Sequence, residues 1–249
     1  MPEFGSFDAT RLHYDIEGDG PPVVLLHGFA STSFINWVRP GLAKALTAAG
    51  LSVIMPDARG HGLSDKPHAV EAYTGEAMTR DCSALLDHLG LDSCAVAGYS
   101  MGARTGLALV LDDPRINRAV LGGTGDRLLN PPNPDRELVA SALETDDPGS
   151  VTDRTARGFR DFADRTKADR FALAACWRAG RRRFSHEELA KITSPVLVLA
   201  AEGDPVIGSP QALARAIPGA ELRLAQGTHL NVINSAAYRD AMVEFLSRD

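Results

Sequence analysis

Three residue types that together can move an acyl group stand in this chain in the order serine, aspartate, histidine, and each lies in a glycine-containing run. The serine is Ser100, within Ala95-Val96-Ala97-Gly98-Tyr99-Ser100-Met101-Gly102-Ala103. A hydroxyl is a weak nucleophile at neutral pH. It needs a base within hydrogen-bond reach, and the base needs a partner that holds its tautomer. Histidine suits the first task and a carboxylate the second. His229 stands in Gln226-Gly227-Thr228-His229-Leu230-Asn231, and Asp204 closes Ala200-Ala201-Glu202-Gly203-Asp204. Asp126, beyond Ala119-Val120-Leu121-Gly122-Gly123, is the rival carboxylate.

The elements that must position these groups are legible around them. A short apolar run ends in Gly98-Tyr99-Ser100-Met101-Gly102, and a helix-forming stretch of small residues, Ala103 to Leu111, follows at once. Strand, sharp turn and helix is the context of a nucleophile elbow, in which glycines give the chain clearance to pass close to itself. The amide of Met101 then lies at a helix N-terminus, where negative charge is favoured. A second oxyanion donor is expected from the loop after an earlier strand, and Phe29 in His27-Gly28-Phe29-Ala30 is placed for it.

Taken in order, residues 3–8 and 12–17 alternate around a turn at Ala9-Thr10, which suggests a hairpin. Val23 to His27, Leu51 to Met55, Ser93 to Gly98, Ile116 to Leu121, Ser194 to Ala200 and Glu221 to Leu224 read as strands. Helices are expected over Trp37–Ala49, Tyr73–Leu89, Ala103–Leu111, Pro210–Ile217 and Ala236–Leu246. Strands alternating with helices predict an α/β fold with a mostly parallel sheet and helices on both faces. In such a sheet the residues beyond the carboxyl ends of strands share one crevice, which gives Ser100, Asp204 and His229 a common location. From Asp126 to Lys191 the rhythm fails, leaving only helix-prone stretches and turns rich in proline and aspartate. Residues 1–125 and 192–249 are therefore expected to form the core, and 126–191 a helical cap.

These pieces resemble the serine α/β-hydrolase family. The likeness rests on His27-Gly28-Phe29, Asp57-Ala58-Arg59-Gly60-His61-Gly62-Leu63-Ser64, Gly98-Tyr99-Ser100-Met101-Gly102, Glu202-Gly203-Asp204 and Gly227-Thr228-His229. It runs nearly end to end and is weakest in the cap. It implies a Ser100-His229-Asp204 triad, an oxyanion hole of the Phe29 and Met101 amides, and hydrolysis of a small ester or related acyl bond. The family's usual position also favours Asp204 over Asp126. Relatives such as epoxide hydrolases and haloalkane dehalogenases carry aspartate in the elbow, where this chain has Ser100. Others with this elbow cleave carbon-carbon bonds in diketones or make peracids without a cofactor. A receptor that kept the fold is the non-enzymatic alternative, and a complete triad weighs against it.

Composition narrows the classes further. With 249 residues and 44% hydrophobic content, the chain can bury one large core plus an insertion. A net charge of -6 argues against a general nucleic-acid binder. Cys82, Cys94 and Cys176 are too few and too scattered for a disulfide framework or a zinc site. No histidine–carboxylate spacing suggests a metal and no glycine-rich loop suggests a nucleotide, so no cofactor is expected. The polar N-terminus lacks a signal sequence and no apolar run reaches spanning length, so no membrane partner and a cytoplasmic location are expected. His27 is expected to pack behind the oxyanion loop, Asp57 and Arg59 to brace the turn holding His61, and His13, His68, His88 and His186 to lie on the surface. Trp177 and Leu230 are the candidate pocket residues. Leu173 and Trp177 share a face of a helix over Asp169–Ala179, and that face either packs within the cap or roofs the crevice.

Overall fold

The computed structural model describes residues 2–129 and 136–248. Eight strands form one sheet: β1 (Glu3–Gly5), β2 (Arg11–Glu17), β3 (Pro22–Leu26), β4 (Ser52–Pro56), β5 (Cys94–Tyr99), β6 (Ile116–Gly122), β7 (Val196–Ala201) and β8 (Glu221–Ala225). Their spatial order is β1-β2-β4-β3-β5-β6-β7-β8. β1 with β2 and β2 with β4 pair antiparallel, and every other neighbouring pair is parallel. The helices are α1 (Leu42–Ala48), α2 (Ala77–His88), α3 (Met101–Asp112), α4 (Arg136–Glu144), α5 (Arg154–Thr166), α6 (Arg170–Ala179), α7 (His186–Leu189), α8 (Pro210–Ala216) and α9 (Ala236–Leu246).

The central strands read as unbroken apolar runs because both of their faces are covered. Successive side chains point to opposite sides, so each strand feeds two cores. Val24, Leu26, Val96, Leu121 and Val198 pack against α2, α3 and α8 through Leu85, Leu107 and Leu213. Val23, Leu25, Ala97, Val120 and Leu199 pack on the other side against α1 and α9 through Leu46, Met242 and Phe245. Each such aliphatic side chain contributes about 1.5–3 kcal/mol by leaving water. A third apolar cluster lies beyond the strand ends. There Phe29, Ala30 and Met101 meet Val139, Leu143, Ala163, Leu173 and Trp177 of α4–α6. Other residues of the expected insertion behave differently: Leu128, Leu129, Phe184 and Leu189 join the core that packs on α2, α3 and α8.

Two expected helices are interrupted, and the backbone shows why. The stretch over Trp37–Ala49 splits into a π-helical turn, Phe34–Val38, and α1. Pro40 lacks the amide a continuous helix needs, and Gly41 takes φ 81°. The stretch over Tyr73–Leu89 splits into a 3₁₀ turn, Val70–Tyr73, and α2. Gly75 and Glu76 both stand at φ 60° between them. His13 is a further correction. It is 2% exposed rather than on the surface, because β2 is paired on both sides and Ser64 Oγ accepts the His13 amide at 3.0 Å. His88 and His186 are exposed, and His68 is open to solvent while contacting Asp169.

The turn after β4 is held by buried polar groups. Arg59, fully buried, donates to Asp81 of α2 from Nε at 2.7 Å and from Nη2 at 2.5 Å, and to Asp8 at 2.9 Å. Asp57 accepts the Ser33 amide on one oxygen and the Leu63 amide on the other, each at 2.8 Å, so it ties the loop after β3 to this turn. His61 donates from Nδ1 to the Arg59 carbonyl at 3.0 Å. Burial, with His27 beside it, pushes the His61 imidazole down to about 3. The unfolded chain takes up this proton below about pH 6.5, whereas the folded protein does so only near pH 3. Stability should therefore fall as pH drops through that window, by up to about 1.4 kcal/mol per pH unit for this one group. Urea midpoints of the wild type and His61→Asn at pH 7, 5.5 and 4.5 measure it. The asparagine variant should show the shallower acid slope, and equal slopes would remove His61 as a source of acid lability.

Candidate active site

The bend between β5 and α3 is shaped by how closely the backbone passes itself. A Cβ on Gly98 would stand 2.1 Å from the Gly102 carbonyl oxygen, and one on Gly102 would stand 2.0 Å from that of Leu26. Between them Ser100 takes φ 53° and ψ −105°, a conformation that L-residues rarely adopt. Its amide donates to the Gly122 carbonyl at 2.8 Å, which anchors the bend to β6. Neighbouring structure thus holds the strain and leaves the hydroxyl directed away from the strand.

Beside the bend runs the loop after β3. The Gly28 amide donates to Asn36 Oδ1 at 2.8 Å. His27 donates from Nδ1 to the Gly28 carbonyl at 2.8 Å and accepts the Ala58 amide on Nε2 at 3.0 Å. Both ring nitrogens are used by the backbone, and complete burial favours the neutral ring. Ala30 stands at φ 55° and is fully buried. Among the described residues neither the Phe29 nor the Met101 amide has an acceptor within the protein. Asn36 was invisible in the sequence as a contributor. Its only signal is an amide side chain amid apolar neighbours, and that acquires meaning once the π-helical turn aims it at Gly28.

Three loops bring the sequence-predicted polar residues together. His229, after β8, lies with Nε2 3.1 Å from Ser100 Oγ and with Nδ1 2.8 Å from Asp204 Oδ2. Asp204, after β7, also accepts the Val206 amide on Oδ1 at 2.8 Å. Its side chain is fully buried, while that of His229 is 17% exposed. Asp204 therefore accepts from Nδ1–H, and Nε2 keeps its lone pair toward Ser100. Tyr99 adds an unanticipated contact: its hydroxyl donates to the His229 carbonyl, and its ring lies 5.6 Å from the imidazole. Burial raises the Tyr99 phenol, which stays a donor. The rival Asp126 is elsewhere. It accepts the Ser209 amide at 2.8 Å and fixes the entry to α8.

These groups lie where connections leave the sheet in opposite directions. From β3 the chain moves outward to β4, and from β5 it moves the other way to β6, so the β3 and β5 loops border the crevice of an open parallel sheet. Chemically, the arrangement offers a hydroxyl, an imidazole and a carboxyl group in hydrogen-bonded sequence, beside two amides with no acceptor among the described residues. Among the described residues no three His, Cys, Asp or Glu side chains gather as metal ligands. No helix there is long and apolar enough to cross a membrane.

A cavity of about 340 Å³ adjoins Met101 on the α3 side. Its walls are the segment from Tyr73 to Thr79, the start of α3, Arg136, Cys176, and the chain from Ala179 to Arg182. Neither candidate pocket residue lines it. Leu230 is 63% exposed on the turn after His229. Trp177 is 9% exposed, with its ring 4.6 Å from Phe159 and 5.2 Å from Phe29. It faces the far side of the Phe29 ring, which also meets His61. Large-to-small changes in such a cluster cost about 3–5 kcal/mol. Trp177→Ala should therefore lower the melting temperature strongly and reduce kcat/KM to similar extents for acetyl, hexanoyl and benzoyl esters of one alcohol. A selective loss on the benzoyl ester with an unchanged melt would instead place the indole against substrate.

Comparison with known proteins agrees with this architecture. The family model described as alpha/beta hydrolase fold matches residues 21–176. A haloalkane dehalogenase of Psychrobacter cryohalolentis is 30% identical over 88% of this chain and 81% of its own length. An sn-1-specific diacylglycerol lipase of Mus musculus is 41% identical over 42% of this chain and 34% of that protein. Among solved structures, a hydrolase from Pseudomonas aeruginosa PA01 superposes with a TM-score of 0.76 at 26% identity, covering 99% of this chain and 98% of the other. On the sheet order, the elbow and these matches, the chain belongs to the α/β-hydrolase fold family and is a hydrolase-type enzyme.

Proposed function

We propose that the protein is a serine hydrolase that cleaves a small carboxylic ester, or a related acyl bond, through an acyl-enzyme. The observation that carries this reading is the continuous chain from Ser100 Oγ through His229 to Asp204, at 3.1 Å and 2.8 Å. Ser100 attacks the carbonyl carbon while His229 Nε2 takes its proton. Asp204 holds the imidazole with its proton on Nδ1 and stabilises the imidazolium that forms. The Phe29 and Met101 amides, without an acceptor among the described residues, receive the developing oxyanion. His229 returns its proton to the leaving alcohol, then deprotonates a water that releases the acid and restores Ser100. Helices α4–α6 act as the cap, resting on Phe29 and Met101.

The nucleophile type decides between this chemistry and that named for the dehalogenase relative. Displacement of a halide by a serine hydroxyl would leave an ether, which water does not cleave under these conditions. A serine attacking a carbonyl leaves an ester, which water does cleave. Ser100 therefore supports acyl transfer and opposes halide displacement.

Ser100→Ala should leave the melting temperature nearly unchanged and remove well over nine-tenths of turnover on a p-nitrophenyl ester, since triad losses are normally far larger than tenfold. A fluorophosphonate probe should label the wild type at Ser100 and leave the variant unlabelled. Retention of more than about a tenth of the rate in purified variant would reject the assignment.

The two carboxylates are separated by a second pair of variants. Asp204→Asn should lower kcat by orders of magnitude, as loss of the orienting carboxylate does in a serine triad. Asp126→Asn, which touches only the α8 entry, should act mainly on stability. The opposite ranking of kcat would transfer the orienting role to Asp126.

A further inference from the structure

The cavity beside Met101 is unusual in its charge. Four arginines line it, Arg104, Arg136, Arg181 and Arg182, against one carboxylate, Glu76. Arg182 is already neutralised by Asp112 and by Glu188, the latter at 2.7 Å. The other three have no carboxylate partner among the described residues. Arg104 donates to the Arg182 carbonyl at 2.5 Å and lies 5.8 Å from the Phe184 ring. Arg181 lies 4.5 Å from the centre of the Trp177 ring. Arg136 reaches the backbone at Gly180, where a Cβ would come within 2.3 Å of its guanidinium, so the absent side chain makes room for it. Arginines that stitch this region together look different. Arg178, one turn before Arg182, is clasped by Glu137 and Glu144 at 2.5–2.9 Å.

Gathering cations around a cavity without a counter-charge is unfavourable because they repel one another, and the part-buried Arg104 also loses hydration, whereas Arg136 and Arg181 stay exposed at the rim. Arg104 carries that cost visibly: burial, and then the proximity of Arg181, push its guanidinium down to about 10. An anion in the cavity would relieve both effects. Guanidinium groups match the planar fork of a carboxylate, which each can hold with two parallel hydrogen bonds. Position relates this anion to the chemistry. Arg104 follows Ser100 by four residues on α3, one turn and about 6 Å along the axis. Met101 supplies both an oxyanion amide and a wall of the cavity.

We propose that this cavity binds a carboxylate borne by the far end of the acyl chain, with Arg104, Arg136 and Arg181 as its counter-charges, so that the preferred substrates are half-esters of dicarboxylic acids. The inference rests on the hydrolase reading above and adds the substrate class. Trp177 then acts on selectivity indirectly, as the surface on which Arg181 rests. Glu76 at the rim offsets part of the positive charge, which suits one carboxylate better than a more highly charged group.

The test compares kcat/KM for monoethyl succinate, adipate and suberate with that for ethyl hexanoate, followed by ethanol release. At least one half-ester should exceed the neutral ester by tenfold or more, and added salt should narrow the gap. In Arg104→Gln, and separately in Arg181→Gln, the half-ester to neutral-ester ratio should fall at least tenfold. Two independent variants guard against one that folds poorly. Calorimetric titration of adipate into Ser100→Ala reads the anion site without turnover, and binding should weaken at least tenfold when Arg104→Gln is added. Adipate binding without turnover of any ester overturns the hydrolase reading alone. Turnover of ethyl hexanoate with no half-ester preference and no adipate binding overturns this inference alone.

Discussion

The close passage of backbone at the end of β5 is the constraint on which the rest of the site depends. Gly98 must lie against the Gly102 carbonyl and Gly102 against that of Leu26, or the chain cannot turn from β5 into α3 at the height of the sheet edge. That turn forces Ser100 into its rare backbone conformation, and the hydrogen bond from its amide to Gly122 keeps it there. Strain of this kind costs on the order of 1–3 kcal/mol and persists because β3, β5 and β6 over-determine the backbone. A single bend thereby fixes the hydroxyl, the Met101 amide and the first turn of α3, which carries Arg104.

The second half of the site is held by polar groups that never reach the crevice. Asn36 and His27 spend their side-chain hydrogen bonds on the backbone of the β3 loop. Asp57 couples that loop to the turn after β4, and Arg59 couples the turn to α2 and to the residues after β1. Each of these groups is buried, so each must be satisfied internally, and satisfaction fixes the loops in one arrangement. His61 is the exposed flank of this scheme in energetic terms. It is buried, it uses one nitrogen, and it must remain neutral.

Apolar packing links the scaffold to α4–α6. The Phe29 ring stands between His61 on the core side and Phe159 and Trp177 on the helical side. Phe29 is thus set by contacts from both parts of the protein. The start of α4 and the chain after α6 bring Arg136 and Arg181 to the cavity that Arg104 also lines. The Phe29 ring and the cavity arginines Arg136 and Arg181 are therefore both set by α4–α6 and the chain that follows them.

Much of this was legible in the residues themselves. Short apolar runs rich in β-branched residues and bounded by turn signals read as strands covered on both faces, glycines flanking Ser100 allow a close approach, and a parallel sheet gathers its strand-end loops at one edge. Those local and topological rules carry Ser100, Asp204 and His229 to one place without reference to contacts. Helix continuity was less legible, because Pro40-Gly41 and Gly75-Glu76 break runs whose apolar spacing continues across them. Tertiary structure alone decided the rest. Asp126 and Asp204 both follow strands; the resemblance favours Asp204, and the contact itself comes from the approach of the β8 loop, which puts His229 against it. His13 and His88 look alike in sequence, yet strand pairing buries the first and a helix surface exposes the second. Arg104, Arg136 and Arg181, which have no carboxylate partner among the described residues, are 32 and 45 residues apart along the chain. Whether a guanidinium meets a carboxylate depends on folded distances, which residue order along the chain does not encode.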